Sequence, residues 1–146
     1  MVPFLVLLLS LLVLRGLGAA GIGLFAAWQT DAAYALALML LLTFSAHFTK
    51  TKEDLIRMVP DMFPFRRQIV TVTGYLELLG AIGLIIPATR GLAGVCLALL
   101  FLAMFPANVN GALRRLPLRG RMATPLWLRA PMQIVFIAVA LWAVLA

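Results

Sequence analysis

The sequence predicts an all-α fold: a transmembrane bundle of five helices. Three observations carry this. The 146 residues are 64% hydrophobic and only 12% charged, against about 45–50% apolar and about 25% charged in a soluble domain. The apolar residues fall into runs long enough to cross a bilayer as helices. The basic residues collect in alternate connections between those runs, the asymmetry of a polytopic membrane protein. Mean hydropathy is +1.10, and the length leaves room for one domain.

The first run, Val2–Leu14, is broken only by Ser10 and is followed by Arg15 and a glycine-rich stretch to Trp28. No basic segment precedes it, which favours a retained membrane helix over a cleaved signal peptide, the alternative that Gly18-Ala-Ala20 would serve. This helix ends near Leu17 or continues to about Phe25, and the second choice puts Arg15 inside the membrane. Asp31 reads as the N-cap of a second helix, Ala32–Phe48, which carries Ser45-Ala-His47-Phe48 at its end. Thr51-Lys-Glu-Asp54 resembles a capping box. Behind it Leu55, Met58, Val59 and Met62 recur at helical spacing, as in a short interfacial helix closed by Pro60 and Pro64. Thr71–Pro87 is the third span, with Glu77 near its middle. Ala88-Thr-Arg90 is a tight connection, so the fourth span, Gly91–Leu113, must be its antiparallel neighbour. Pro106 interrupts that span just before Asn108 and Asn110. A basic loop follows, and Pro131–Leu145 is the last span, short unless it begins near Leu126. Residues 1–31 thus form an N-terminal helix with an external loop, and residues 32–146 a four-helix membrane domain. Gly80-Ala-Ile-Gly83, Gly91-Leu-Ala-Gly94 and Gly74 mark faces where helices approach closely.

Of the 12 Lys and Arg residues, only Arg15 and Arg90 fall outside one set of alternate connections. The positive-inside rule then places the N-terminus in the cytoplasm and the C-terminus outside. The net charge of +7 is accounted for by topology and anionic lipid, and nucleic acid is excluded as a partner because no basic module interleaved with aromatics is present. One cysteine, Cys96, and one histidine exclude a dithiol, a zinc site and a bis-histidine haem. No phosphate loop or nucleophile elbow occurs, so no catalytic residue is assigned and no independent enzymatic activity is expected.

The polar residues within the spans are therefore the informative ones. A carboxylate at the depth of Glu77 must face protein, water or a cation. His47, Glu77 and Asn108 all fall in the half of the bundle toward the basic loops, with Thr73, Tyr75 and Gln133 as candidate neighbours. They predict a polar pocket between helices, or else a purely packing role for a hydrogen-bonded Glu77. If the first helix is long, Arg15 reaches the depth of Glu77 and the two form a buried ion pair. If it is short, Arg15 snorkels to the far interface.

Ser45-Ala-His47-Phe48, then Thr73-Gly-Tyr-Leu-Glu77-Leu-Leu-Gly-Ala81, then Phe105-Pro-Ala-Asn108, in this order, resemble the DoxX-like family of small membrane proteins over about Tyr34 to Leu145. The resemblance implies a four-helix core in the plasma membrane, with the first helix added to it. It also implies a membrane subunit or a small-molecule binding module linked to redox processes. Some relatives are membrane subunits of oxidoreductase complexes that deliver electrons to quinone. His47, Glu77 and Asn108 are the residues it singles out, a quinone or lipid the ligand, and membrane lipids and a membrane or peripheral redox protein the partners. No cofactor ligand set is evident in the chain. The alternative is an assembly protein for another membrane protein, with no ligand chemistry.

Overall fold

The computed structural model describes residues 1–122 and 124–144. Six α-helices and no strand occur among these residues: α1 Val2–Ala19, α2 Trp28–Ala46, α3 Thr51–Met58, α4 Arg66–Ile85, α5 Pro87–Leu113 and α6 Leu126–Trp142, with a short 3-10 turn, Gly23–Phe25, between α1 and α2. The fold is the expected all-α bundle. Helices α1, α2, α4 and α5 are long and apolar enough to cross a membrane, as in a multi-pass membrane protein. α6 has 17 residues and would rise only about 26 Å, slightly less than a hydrocarbon core of about 30 Å. Leu145, the expected end of this span, lies outside the described residues.

Helix α2 is the centre of the bundle. Ala32, Ala33, Ala35, Leu36, Ala37, Met39 and Leu40 are buried, while Leu38 and Leu41 on its remaining face are exposed, and it packs against α1, α4 and α6. Alanine brings helix axes close without costing helix propensity. The outward surfaces remain apolar, with Leu9, Leu12, Leu79, Leu92 and Leu99 exposed. An apolar exterior around a small-residue interior is the arrangement that lipid requires. Cys96 is on this exterior.

Close approaches explain several glycines. A Cβ on Gly80 would collide with Leu97, and one on Gly94 with Val144 and the Ala140 carbonyl, whereas Gly91 faces open space. Gly91 is therefore not part of the packing face that its spacing suggested.

Four local expectations are corrected. Asp31 does not cap α2; the helix starts one turn earlier at Trp28, and Asp31 lies in its first turn. Thr51 makes no capping bond, and Lys50 occupies the cap position of α3. Ala88–Arg90 are not a connection but the first turn of α5, because Pro87 at its start needs only Ile86 as a hinge. Finally, α1 ends at Ala19, where Gly21 adopts φ 100°. The chain turns there, and Arg15 does not approach Glu77. Arg15 Nη1 instead donates to Asp31 Oδ2 at 3.0 Å and to the Ala26 carbonyl at 3.2 Å. The reason is position: Arg15 and Asp31 are at the same end of antiparallel neighbours, and Glu77 pairs elsewhere. Arg15 also lies over the Trp28 ring at 4.9 Å. Asp31 is fully buried, so this pair clamps α1 to α2.

Two outcomes follow. Gly94→Val is expected to lower stability by about 1–3 kcal/mol through overpacking, while Gly91→Ala is neutral or stabilising by up to about 1 kcal/mol; thermal unfolding in detergent reads both. Arg15→Leu strands a buried carboxylate and is expected to cost about 3 kcal/mol, much of which Arg15→Leu/Asp31→Leu restores.

Candidate functional site

The ends of α2 and α5, the starts of α1, α4 and α6, α3 and the basic loop all lie at one end of the bundle. They enclose a cavity of about 580 Å³, within the range of about 300–1,000 Å³ usual for small-molecule sites. His47, Glu77 and Asn108, the three residues singled out by the sequence, all line it, with Gln133 and Arg129. Met39, Phe101, Met104 and Phe136 form apolar walls.

His47 follows the last residue of α2 and is 4% exposed. Its Nδ1 lies 2.6 Å from the Val70 carbonyl oxygen of α4. A carbonyl only accepts, so Nδ1 carries hydrogen and donates to it. Gly74, one turn along α4, makes room for the ring: a Cβ there would be 2.7 Å from that of His47. Nε2 is left to face Oε2 of Glu77 at 3.5 Å, close enough for ion pairing but longer than a hydrogen bond. Glu77 is 3% exposed, and Oε2 has no hydrogen-bond partner among the described residues. With Nδ1 committed, the pair has two arrangements, a carboxylic acid beside a neutral imidazole or a carboxylate beside an imidazolium. Nε2 is therefore the ring atom left to exchange a proton with a group in the cavity.

The opposite wall is a chain of polar contacts from α6 to α5. Gln133 donates to the Phe101 carbonyl and accepts from Asn108 Nδ2 at 3.1 Å. Asn108 Oδ1 accepts in turn from Arg129 Nη1 at 3.4 Å. Arg129 and Gln133 are four residues apart on α6, so both reach the same side. Pro106 lies within α5 and cannot donate to the Leu102 carbonyl, which loosens the turn leading to Asn108.

The mouth is shaped by α3 and the loop after α5. Asn110 Nδ2 donates to the Met58 carbonyl at 2.8 Å, tying α3 to α5, and Lys52 Nζ donates to Thr71 Oγ1 at 2.8 Å, tying it to α4. Leu118 and Arg121 pair backbone to backbone around Arg119 and Gly120, both at positive φ, as in a tight hairpin turn. The Arg119 amide donates to Asp54 Oδ2 at 3.1 Å. This turn brings Arg119 and Arg121 to the cavity.

The sequence-derived neighbours divide. Gln133 is in the site; Thr73 only bonds its own helix at the Val70 carbonyl, and Tyr75 is 52% exposed, packed on Phe48 outside it. Arg129 was read from sequence as part of the basic flank alone. Its spacing of four from Gln133 is the signal that could have placed it inward.

The sequence model of a family described as a domain of unknown function, DUF8561, matches residues 36–144. The chain belongs to the DUF8561 family. The match runs from within α2 to the end of the described chain and takes in every cavity residue named above. No curated protein and no solved structure matches the chain. Among the described residues no cluster of His, Cys, Asp and Glu could hold a metal ion.

The His47 seat is testable in this DUF8561 protein. Gly74→Ala is expected to displace the imidazole, to cost about 1–3 kcal/mol and to move the His47 ring-nitrogen NMR signals. Thr89→Ala, whose hydroxyl bonds the Gly83 and Ile86 carbonyls at the other end of α4, is expected to leave those signals in place.

Proposed function

We propose that this DUF8561 protein is a plasma-membrane binding module for a small amphipathic molecule, a quinone or a lipid, and that it serves a redox process through a membrane or peripheral partner. The observation that carries the reading is the cavity itself. It combines apolar walls with a buried imidazole and carboxylate 3.5 Å apart. A quinone taking up two electrons to become a quinol also takes up two protons. In this reading the electrons come from the partner oxidoreductase, His47 and Glu77 pass one proton to one quinone oxygen, and water at the cavity mouth supplies the second proton to the other. Asn108 and Gln133 orient the ring by hydrogen bonds.

The DoxX-like resemblance of the His47, Glu77 and Asn108 segments supplies the redox setting. The concentration of basic residues at the cavity end supports a cytoplasmic mouth, with the N-terminus on that side and the C-terminus outside.

Purification with native lipid and mass spectrometry of the bound small molecules tests the proposal. A quinone or lipid at near-stoichiometric amount is expected. Glu77→Gln with His47→Ala is expected to lower quinone occupancy roughly tenfold, the effect of losing about 1–2 kcal/mol of polar contacts. An empty cavity with a stoichiometric protein partner would overturn it in favour of an assembly role.

A further inference from the structure

We propose that the cavity selects an acidic amphiphile: a single-chain molecule whose carboxylate or phosphate head pairs with Arg129 and whose chain lies against Met39, Phe101, Met104 and Phe136. This rests on the reading of the cavity as a ligand site and goes further by fixing the charge of the ligand.

Every Asp and Glu side chain is engaged away from Arg129. The chain has five. Asp31 is held by Arg15, Glu53 by Arg67, and Glu77 faces His47. Asp54 is taken by Arg57 and the Arg119 amide, and Asp61 by Arg66 and Arg114. None reaches Arg129. Yet Arg129 is only 8% exposed and faces the cavity. Its contacts are with neutral acceptors: Nε donates to the Thr124 carbonyl at 3.0 Å, and Nη1 to Asn108. Nη2 has no hydrogen-bond partner among the described residues.

A buried guanidinium with no counter-charge is costly, and an anion of matching geometry removes that cost. The planar fork of arginine fits carboxylate and phosphate oxygens in pairs, so the free Nη2 edge is suited to such a head. Arg119 and Arg121 at the mouth add to the positive field. The Met1 amino group, at the same mouth, is held below its ordinary pKa by burial first, and then by the charges of Arg129 and Arg121. Inside the mouth the walls are apolar. Head and chain therefore have separate places, and the volume favours one chain over two.

The test uses the full chain in neutral detergent. Oleate, oleyl phosphate, oleyl alcohol and inorganic phosphate are titrated separately, with binding read by native mass spectrometry and by the thermal unfolding midpoint. One or both acids are expected to bind at least tenfold more tightly than the alcohol, and their order identifies the head. Arg129→Gln is expected to weaken the acid roughly 10–100-fold, as for loss of a charged hydrogen bond, and to leave the alcohol within about threefold; Arg129→Lys is intermediate. If Arg129→Gln does not fold, the wild-type ratio of acid to alcohol decides. Equal binding of acid and alcohol overturns the proposal and leaves the ligand site standing. Inorganic phosphate binding as tightly as oleyl phosphate overturns the amphiphile. Binding of none of these, with no quinone bound either, overturns the site itself.

Discussion

His47 is held by α4 at two levels. The Val70 carbonyl takes the Nδ1 hydrogen, and Gly74 leaves the volume that the ring fills. This seat fixes the tautomer, aims Nε2 at Glu77 and brings the end of α2 against α4. A carboxylate in a low-dielectric interior is tolerated only where a partner is rigidly placed. The cavity, its polar wall and its mouth are arranged around that requirement. Because the ring is anchored by main chain, exchange of a proton with Glu77 would need no rotation of the imidazole.

The two ends of the bundle solve the charge problem differently. At the far end Asp31 is neutralised within the protein by Arg15, and the ion pair joins the added helix α1 to the centre of the fold. At the basic end the acids are spent on surface arginines and on His47, and Arg129 is buried among neutral acceptors. The first arrangement is closed and structural. The second leaves a buried cation facing a cavity.

The helices were legible because lipid demands long apolar runs and self-satisfied backbones, and both are visible in composition and spacing. The trio His47, Glu77 and Asn108 was legible for the same reason: polar groups in such runs stand out. The errors lie where local signals compete. Asp31 has the chemistry of a cap, but it is claimed by Arg15 from the neighbouring helix. Gly91 has small-residue spacing, but it faces outward. Arg15 could be placed by sequence at two depths, and the turn at Gly21 settled which.

The sequence by itself determined the fold class, the number and order of the helices and the end of the bundle where polar residues gather, because each follows from hydropathy and charge along one chain. Only the tertiary structure decided that Arg15 meets Asp31, that Gln133 and Arg129 join Asn108, and that none of the five Asp and Glu side chains reaches Arg129. Those facts depend on which faces of separate helices meet, and a helix rotated by a few tens of degrees would keep its hydropathy and lose every one of them.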